Sequence, residues 1–240
     1  MQLARRCNPV KMGRQRFGVA VAVAAVWLAA VYRGWVQPWI YTWGARPEEI
    51  VGALPGDELI ASAIPRTTRA IWIPASARAV WVWLAQIGED RGGFYSYSWL
   101  ERAAGADIHN ADHIHLEWQR LHVGDTIWLA RRYGDSACQM VADVQPGSHL
   151  VMVSRPDFAR LQEGRKARGT WSFALLPGDG GVRLVARGCG GFVGHFWFDI
   201  PHFVMERRMM QGIRDRAVRE HVKGLGAAIQ PRSSSAASAK

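Results

Sequence analysis

The sequence contains few cysteines and none of the spacings that give cysteine a structural role. Its 240 residues include Cys7, Cys138 and Cys189, with neither a CxxC pair nor a dense pattern. This argues against a zinc site built on paired cysteines and against a disulfide-stapled fold. Cys138 and Cys189 could pair if the domain lies outside the cytoplasm, but two buried free thiols are the favoured interpretation.

The common catalytic and phosphate-binding signatures are also missing. The sequence has no Gly-x-Ser-x-Gly elbow and no HExxH motif, and its glycine-rich stretch 188–194, GCGGFVG, lacks the GxGxxG order. These absences argue against a serine hydrolase, a zinc protease and a phosphate-cradling loop. We therefore expect no cofactor and no bound metal.

Acidic residues are absent from the first 47 positions, and the first carboxylate is Glu48. The first 16 residues instead carry five basic ones, which account for half of the formal net charge of +10: Arg5, Arg6, Lys11, Arg14 and Arg16. Without these five, 25 basic residues face 20 acidic ones. No basic run with interleaved aromatics occurs in the middle of the chain, so nucleic acid is not an expected partner.

One apolar run lies near the N-terminus. Residues 17–32, FGVAVAVAAVWLAAVY, contain no charge, and as a helix they would span about 24 Å of a hydrocarbon core about 30 Å thick. Arg16 and Arg33 can reach the two interfaces, and aromatic residues follow the run. We predict a single transmembrane helix with residues 1–16 in the cytoplasm and the remaining chain outside it. The alternatives are a secreted protein whose signal peptide is cleaved near Ala30, or a cytoplasmic protein.

The remaining chain predicts one domain between two irregular segments. With 49% hydrophobic residues, it can bury a single good-sized core. Prolines interrupt residues 33–66, which we interpret as a linker that wraps onto the domain. The domain is predicted at 67–224, and the serine-rich residues 225–240 as a disordered tail.

Apolar periodicity predicts the elements of this domain. A strand at 68–73 precedes a helix at 76–88, and antiparallel strands with one buried face follow at 126–130, 138–144 and 150–154 and in a hairpin over 170–187. A long amphipathic helix is predicted at about 201–222. Its apolar face contains Phe203, Met205, Met209, Met210, Ile213 and Ala217.

The stretch 91–118, RGGFYSYSWLERAAGADIHNADHIHLEW, concentrates aromatic and polar residues between regular elements. Aromatic side chains with polar tips suit a ligand pocket, so we predict that this stretch lines one. Met205 and Met209 on the terminal helix would form the floor of the pocket. The predicted ligand-binding residues on the stretch are Tyr95, Tyr97, Trp99, His109, Asp112 and Trp118.

The histidines and acids of this stretch allow two chemical hypotheses. His109, His113 and Glu117 are of types that coordinate metals, but they lack a metal-ligand spacing, so turn capping and solvent exposure are favoured. His109 and Asp112 could form an acid–base pair if the imidazole faced a cavity. Hydrogen bonds that tie the loop to the sheet are the favoured role.

The order of elements is that of the helix-grip fold, an α+β fold in which a curved antiparallel sheet wraps a long C-terminal helix. The strand–Pro–helix unit with Pro74, Trp81 and Trp83, and the terminal GIRDRAVREH, resemble the START-like superfamily, often labelled SRPBCC, of polyketide cyclases, lipid-transfer domains and pollen-allergen-like proteins. The segment GGFYSYSWLERAAGADIHNADHI resembles a bacterial subgroup with an N-terminal hydrophobic segment. The resemblance covers residues 68–223, and it implies a shared cavity rather than a shared catalytic motif.

Three functions follow as expectations. The favoured one is a membrane-anchored binding or carrier protein for a hydrophobic or amphipathic, lipid-like molecule held between the sheet and the terminal helix. The second is a cyclase- or dehydratase-type enzyme that acts on a polyketide-like or aromatic substrate through His109 and Asp112. The third is a protein-interaction module of an envelope complex that uses the basic face of Arg207, Arg208 and Arg214.

Overall fold

The computed structural model describes residues 9–61, 64 and 66–229. It divides into two compact units, Met1–Ile40 and Tyr41–Lys240, and we call the second unit the domain. Residues 1–8 of the predicted basic terminus and residues 230–240 of the predicted tail lie outside the described residues. Residues 225–229 are helical and continue the last helix of the domain.

The described residues of the first unit, 9–40, are helical. Helix α1 covers Pro9–Val31, a π-helical turn follows at Tyr32–Val36, and helix α2 covers Gln37–Tyr41. The segment Phe17–Tyr41 is long and apolar enough to cross a membrane. Its residues 17–39 are exposed or partly exposed, and Ile40 is buried. A signal sequence near the N-terminus has the same length and composition, so these two properties do not distinguish the two interpretations.

The domain is built on a curved, six-stranded antiparallel sheet with the spatial order β1-β6-β5-β4-β3-β2. The strands are β1 Arg66–Ile73, β2 Thr126–Trp128, β3 Cys138–Gln145, β4 His149–Ser154, β5 Gly169–Gly178 and β6 Gly181–Gly190. β5 and β6 form the predicted hairpin, joined through Asp179 and Gly180. β1 pairs with β6, so the sheet joins the first strand in the sequence to the last one.

The described part of the domain also contains five α-helices: α3 Pro47–Val51, α4 Ala77–Leu84, α5 Ser98–Ala103, α6 Arg155–Gln162 and α7 Phe196–Ile229. α4 begins at the predicted N-cap, because the Ser76 hydroxyl accepts a hydrogen bond from the Ala79 amide at 3.2 Å. α7 begins five residues before the predicted start and contains Pro201, which lacks an N–H and therefore leaves one carbonyl of the helix without its backbone donor. Together with the sheet, these helices make the domain an α+β structure.

The inner face of the sheet packs against α4 and α7. Apolar residues of β4, β5 and β6 share one buried cluster with Trp83 of α4 and with Met209, Met210 and Ile213 of α7. The alternation that predicted the strands therefore gives their inner face correctly. Two buried residues of the predicted terminal-helix face, Met210 and Ile213, are fully inaccessible to solvent.

The outer face of the central strands is also buried, whereas the alternation predicted only one buried face. The cover is the segment 42–60, which we had interpreted as a linker that wraps onto the domain. Leu54 of this segment packs against Ala174 and Val185. Gly56 has a φ of +95° and approaches so closely that an added Cβ would lie 2.7 Å from Val151 Cγ1. The linker interpretation did not predict a second buried layer.

Arg187 of β6 fastens this cover to the sheet. The side chain is fully buried and donates hydrogen bonds through all three nitrogens. Nε donates to Thr68 Oγ1 at 3.1 Å, while Nη2 donates to the Glu49 carbonyl at 2.6 Å. Nη1 donates to the Gly52 carbonyl at 3.0 Å and to the Asp57 carboxylate. One guanidinium therefore satisfies several buried acceptors that the segment would otherwise leave unpaired.

We expect the Arg187→Met substitution to destabilise the domain strongly. Removal of one partner of a buried, hydrogen-bonded charge typically costs about 3–5 kcal/mol, because the acceptors stay buried without donors. The measurement is the free energy of unfolding from chemical denaturation, and Arg78→Met is the matched control because Arg78 is exposed. Equal stabilities of the two variants would show that Arg187 does not hold the cover.

Candidate functional site

A cavity of about 770 Å³ lies in the domain, bordered by the sheet, by α5 and by the first half of α7. Its walls are mainly apolar, with a small number of polar side chains among them. Ligand pockets typically enclose about 300–1,000 Å³ and have this composition. The cavity therefore has the size and chemistry of a site for a small amphipathic molecule.

Small residues line part of this cavity. Three alanines and four glycines border it: Ala104, Ala106, Ala130, Gly169, Gly188, Gly190 and Gly191. On the opposite side, α7 contributes Met205 and Met209, two of the predicted ligand-binding residues. Methionine adapts its shape readily, so this wall can fit ligands of different outline.

Glu101 of α5 borders the cavity, and its carboxyl group is buried without a hydrogen-bond donor in the described part of the chain. The residue is 7% exposed, and none of the described residues donates a hydrogen bond to its buried Oε2. Burial raises the pKa of the Glu101 carboxyl to about 7, although the nearby Arg102 acts in the opposite direction. A carboxyl group without a partner inside an apolar site is costly, so such groups are candidates for function.

A second acidic residue, Glu206 of α7, borders the cavity with its charge compensated. Its Oε2 accepts a hydrogen bond from Arg69 Nη1 at 2.6 Å, and its Oε1 accepts one from Trp171 Nε1 at 2.7 Å. Burial is the largest single effect and acts to raise the pKa of Glu206, but Arg69, His202 and Trp171 together outweigh it and hold the pKa below its usual range. Glu206 is therefore an ionised member of a satisfied buried pair.

His202 lies one helical turn before Glu206 and also borders the cavity. Its Nδ1 lies 3.1 Å from Arg69 Nη1, and its Nε2 lies 3.9 Å from Glu206 Oε1. Burial lowers the pKa of His202, so the imidazole is neutral at pH 7. A guanidinium can only donate, so Nδ1 accepts from Arg69 and the ring proton resides on Nε2.

Tyr95 is a structural residue of the aromatic stretch. It is 1% exposed and adopts a left-handed backbone with a φ of +57°. The Asn110 side chain accepts a hydrogen bond from the Tyr95 amide at 2.6 Å, and the Tyr95 hydroxyl donates to the Trp83 carbonyl at 3.1 Å. On α7, an added Cβ at Gly212 would lie 2.3 Å from the Tyr95 carbonyl oxygen. Tyr95 is thus wedged between the loop and the terminal helix, and it does not border the cavity.

The other aromatic residues predicted for the pocket lie near the surface. Tyr97 is 38% exposed with Arg208 over its ring, and Trp99 is 66% exposed. Trp118 stacks on His115 at a centroid distance of 3.9 Å. None of these three residues borders the cavity described above.

His109 and Asp112 lie exposed on the loop and are not paired with each other. Asp112 instead bonds His113 Nδ1 at 2.7 Å, and this hydrogen bond is the main cause that lowers the pKa of Asp112. His109 Nδ1 lies 3.7 Å from an Asp107 carboxylate oxygen. Within the described part of the chain, no group of three or more His, Cys, Asp or Glu residues is arranged to hold a metal ion. Three residues of α5 and α7 with titratable side chains are mostly buried and border the cavity: Glu101, His202 and Glu206.

Sequence reasoning did not identify Glu101, and the local pattern explains why. Ser98 and Glu101 have the S-x-x-E spacing that is typical of a helix capping box. In the structure Tyr97 is the N-cap residue, and it makes no side-chain capping bond, so the Glu101 carboxyl is not used for capping. Cys138 and Cys189, whose pairing the spacing left open, are both buried and free.

We predict that Glu101 makes the stability of the domain depend on pH. Its pKa is raised in the folded state, so the folded protein binds more protons than the unfolded protein between about pH 4.5 and pH 7, and stability falls as pH rises through that window. Glu101→Gln has no carboxyl to ionise. We therefore compare the free energy of unfolding of Glu101→Gln with that of the original protein at each pH. The difference, variant minus original, should rise by about 3 kcal/mol between pH 4 and pH 8.

Chemical denaturation of both proteins at the two pH values measures this difference. Glu48→Gln is the control, because Glu48 is exposed. The prediction fails if Glu101→Gln and Glu48→Gln show the same pH dependence.

The sequence matches no family model and no curated protein. Several solved structures resemble it distantly. A Mesorhizobium loti protein is 15% identical, with 65% of this chain and 98% of that one covered and a TM-score of 0.39. A Nitrosomonas europaea protein is 11% identical, with 65% of this chain and 95% of that one covered and a TM-score of 0.43. A Polyketide_cyc-like protein of Corynebacterium glutamicum is 12% identical, with coverage of 72% and 99% and a TM-score of 0.31. These neighbours are polyketide-cyclase-like or of unknown function, and likeness at this level assigns no function to the chain.

Proposed function

We propose that the domain is a START-like, helix-grip module that binds an amphipathic, lipid-like molecule in its cavity. The observation that carries this proposal is the cavity of about 770 Å³ with mainly apolar walls and a few polar groups. The cavity is partly open to solvent, because Ala104 and Phe192 at its border are exposed. A ligand with an apolar part would remove apolar wall from contact with water and would stabilise the folded domain by binding to it.

We also propose that the N-terminal unit anchors the protein in a membrane. The segment Phe17–Tyr41 is 25 residues long and most of its apolar side chains are exposed, so it would expose a large apolar surface to water. Insertion into a bilayer removes this cost, and the basic residues 1–16 favour a cytoplasmic N-terminus with the domain on the other side. Cleavage of the segment as a signal sequence would instead secrete the same domain.

The ligand proposal predicts that a bulky side chain at the edge of the cavity excludes the ligand. Ala104 borders the cavity and is exposed, so Ala104→Trp can block the site without overpacking the core. The neighbouring Ala103 is exposed and does not border the cavity, which makes Ala103→Trp the matched control.

The measurement is the amount of small amphiphile that copurifies with each full-length protein, determined by mass spectrometry after solvent extraction. We expect about tenfold less amphiphile with Ala104→Trp than with Ala103→Trp, corresponding to about 1.4 kcal/mol of lost binding. If no protein carries an amphiphile, or if the two variants carry equal amounts, the cavity is not a ligand site.

A second candidate function, acid–base catalysis on a polyketide-like or aromatic substrate, is favoured by one observation. The neutral imidazole of His202 borders the cavity and carries its proton on Nε2, from which it can donate a hydrogen bond to the oxygen of a bound ketone as the enolate forms. The Glu101 carboxylate, which borders the same cavity, would accept the proton that leaves the carbon. His109 and Asp112, which the sequence suggested for this chemistry, lie on the exposed loop.

This candidate predicts that the full-length protein accelerates enolisation of a 1,3-diketone. The probe is benzoylacetone in D₂O, and the measurement is deuterium uptake at its central carbon by NMR. Loss of a general acid typically reduces the rate by about 10²–10⁴-fold, so His202→Gln should abolish most of the acceleration and His109→Gln should not. No acceleration by the original protein would exclude this function, and loss in His109→Gln alone would place the chemistry on the loop.

A further inference from the structure

The Glu101 carboxyl provides a criterion for which ligand the cavity accepts. It is buried at 7% exposure, it borders a mainly apolar cavity, and its Oε2 receives no hydrogen bond from the described residues. Almost all buried polar atoms in proteins have a partner. Glu101 borders the cavity and its carboxyl group receives no hydrogen bond from the described residues, so a donor group on a ligand can satisfy the carboxyl.

The other charged groups around the cavity have partners within the protein or lie at its exposed edge. From α7, Glu206 is ion-paired with Arg69, and His202 is neutral. From α6, the Asp157 carboxylate accepts hydrogen bonds from the Ser154 hydroxyl at 2.9 Å and from the Arg168 amide at 3.0 Å.

Two basic side chains, Arg102 on α5 and Arg168 beside β5, are exposed. Arg102 acts on Glu101 only through its charge, and this effect is smaller than that of burial. Among the described groups that border the cavity, Glu101 is therefore the acid whose charge is not neutralised by a buried partner. The interior is complementary to a positive charge.

We propose that the cavity selects an amphipathic molecule with a cationic amine, whose ammonium group pairs with Glu101 while its apolar part lies against Met205 and Met209. The inference rests on the proposed function, because it names the chemistry of the ligand for the same cavity. An ammonium supplies both a hydrogen-bond donor and a compensating charge, whereas a hydroxyl supplies only the donor and a carboxylate repels the site. Charge-assisted hydrogen bonds are about twice as strong as neutral ones.

The pH dependence follows from the same pair. The ammonium binds the ionised carboxylate, and Glu101 ionises at about pH 7, so amine affinity should rise between pH 6 and pH 8. An alkylamine keeps its proton in this range, because its pKa is near that of lysine, about 10.4. A neutral alcohol with the same chain should show little change.

The experiment compares three probes with one chain length: octylamine, octan-1-ol and octanoate. Each is titrated calorimetrically at pH 8 into the full-length protein, Glu101→Gln and Glu48→Gln, all in the same non-ionic detergent. Partition of a probe into detergent is then equal for the three proteins and cancels in their ratios. We expect the original protein and Glu48→Gln to bind octylamine about tenfold more tightly than octan-1-ol, and Glu101→Gln to bind the two about equally.

The outcomes separate this inference from the proposed function. If octan-1-ol binds but octylamine has no advantage, or if Glu101→Gln keeps that advantage, the amine inference is wrong while the cavity remains a ligand site. If none of the three probes binds, both proposals fail. Should Glu101→Gln not fold, the original protein still decides the question, because a flat octylamine affinity between pH 6 and pH 8 overturns the inference.

Discussion

The buried guanidinium of Arg187 is the interaction on which the two-sided construction of the domain depends. A strand that is covered on both faces must satisfy the backbone acceptors of whatever covers it. Arg187 does this for the segment 42–60 through hydrogen bonds to Glu49, Gly52 and Asp57. Arg183, four residues earlier on the same strand, adds an ion pair to Glu49 at 2.6 Å. The outer layer is therefore fixed by polar contacts, while the inner layer is fixed by apolar packing.

This division explains how the domain can tolerate a cavity. A hollow between sheet and helix removes packing contacts from the inner layer. The outer layer and the α4 side of the inner layer remain filled, with Trp83, Leu84 and Ile73 almost completely buried. The cavity is confined to the side where α5 and the first half of α7 meet the sheet.

The sequence predicts the elements of this fold better than their long-range contacts. Alternation identifies the strands and helical spacing identifies α4 and α7, because both patterns repeat within one element. The second buried face is not predicted, since Arg187 contacts residues more than 100 positions away. The position of Tyr95 is also determined by long-range contacts that the local pattern does not reveal. Its aromatic, polar character suggests a pocket, but Asn110 and Gly212 fix it in the packed interior.

The sequence predicts only those residues of the candidate site that lie on a regular element. Met205 and Met209 lie on a regular helix, so their position on its inner side follows from their spacing. Glu101 lies in a short helix within an irregular stretch, where burial depends on the surrounding tertiary structure rather than on local pattern. Its S-x-x-E spacing moreover favours a capping role that the structure does not use.

The alanines and glycines around the cavity have a consequence for how such a domain can diversify. An added Cβ at Gly190 or Gly169 would collide with the backbone of Arg168 or Cys189, so changes of cavity volume are left to the alanines Ala104, Ala106 and Ala130. None of these alanines is among the groups that Arg187 binds. Changes in the shape of the hollow are thus separated in space from the contacts that hold the outer layer. An evolving chain of this design could acquire a new cargo through a few substitutions on one side of its sheet, without placing its folding at risk.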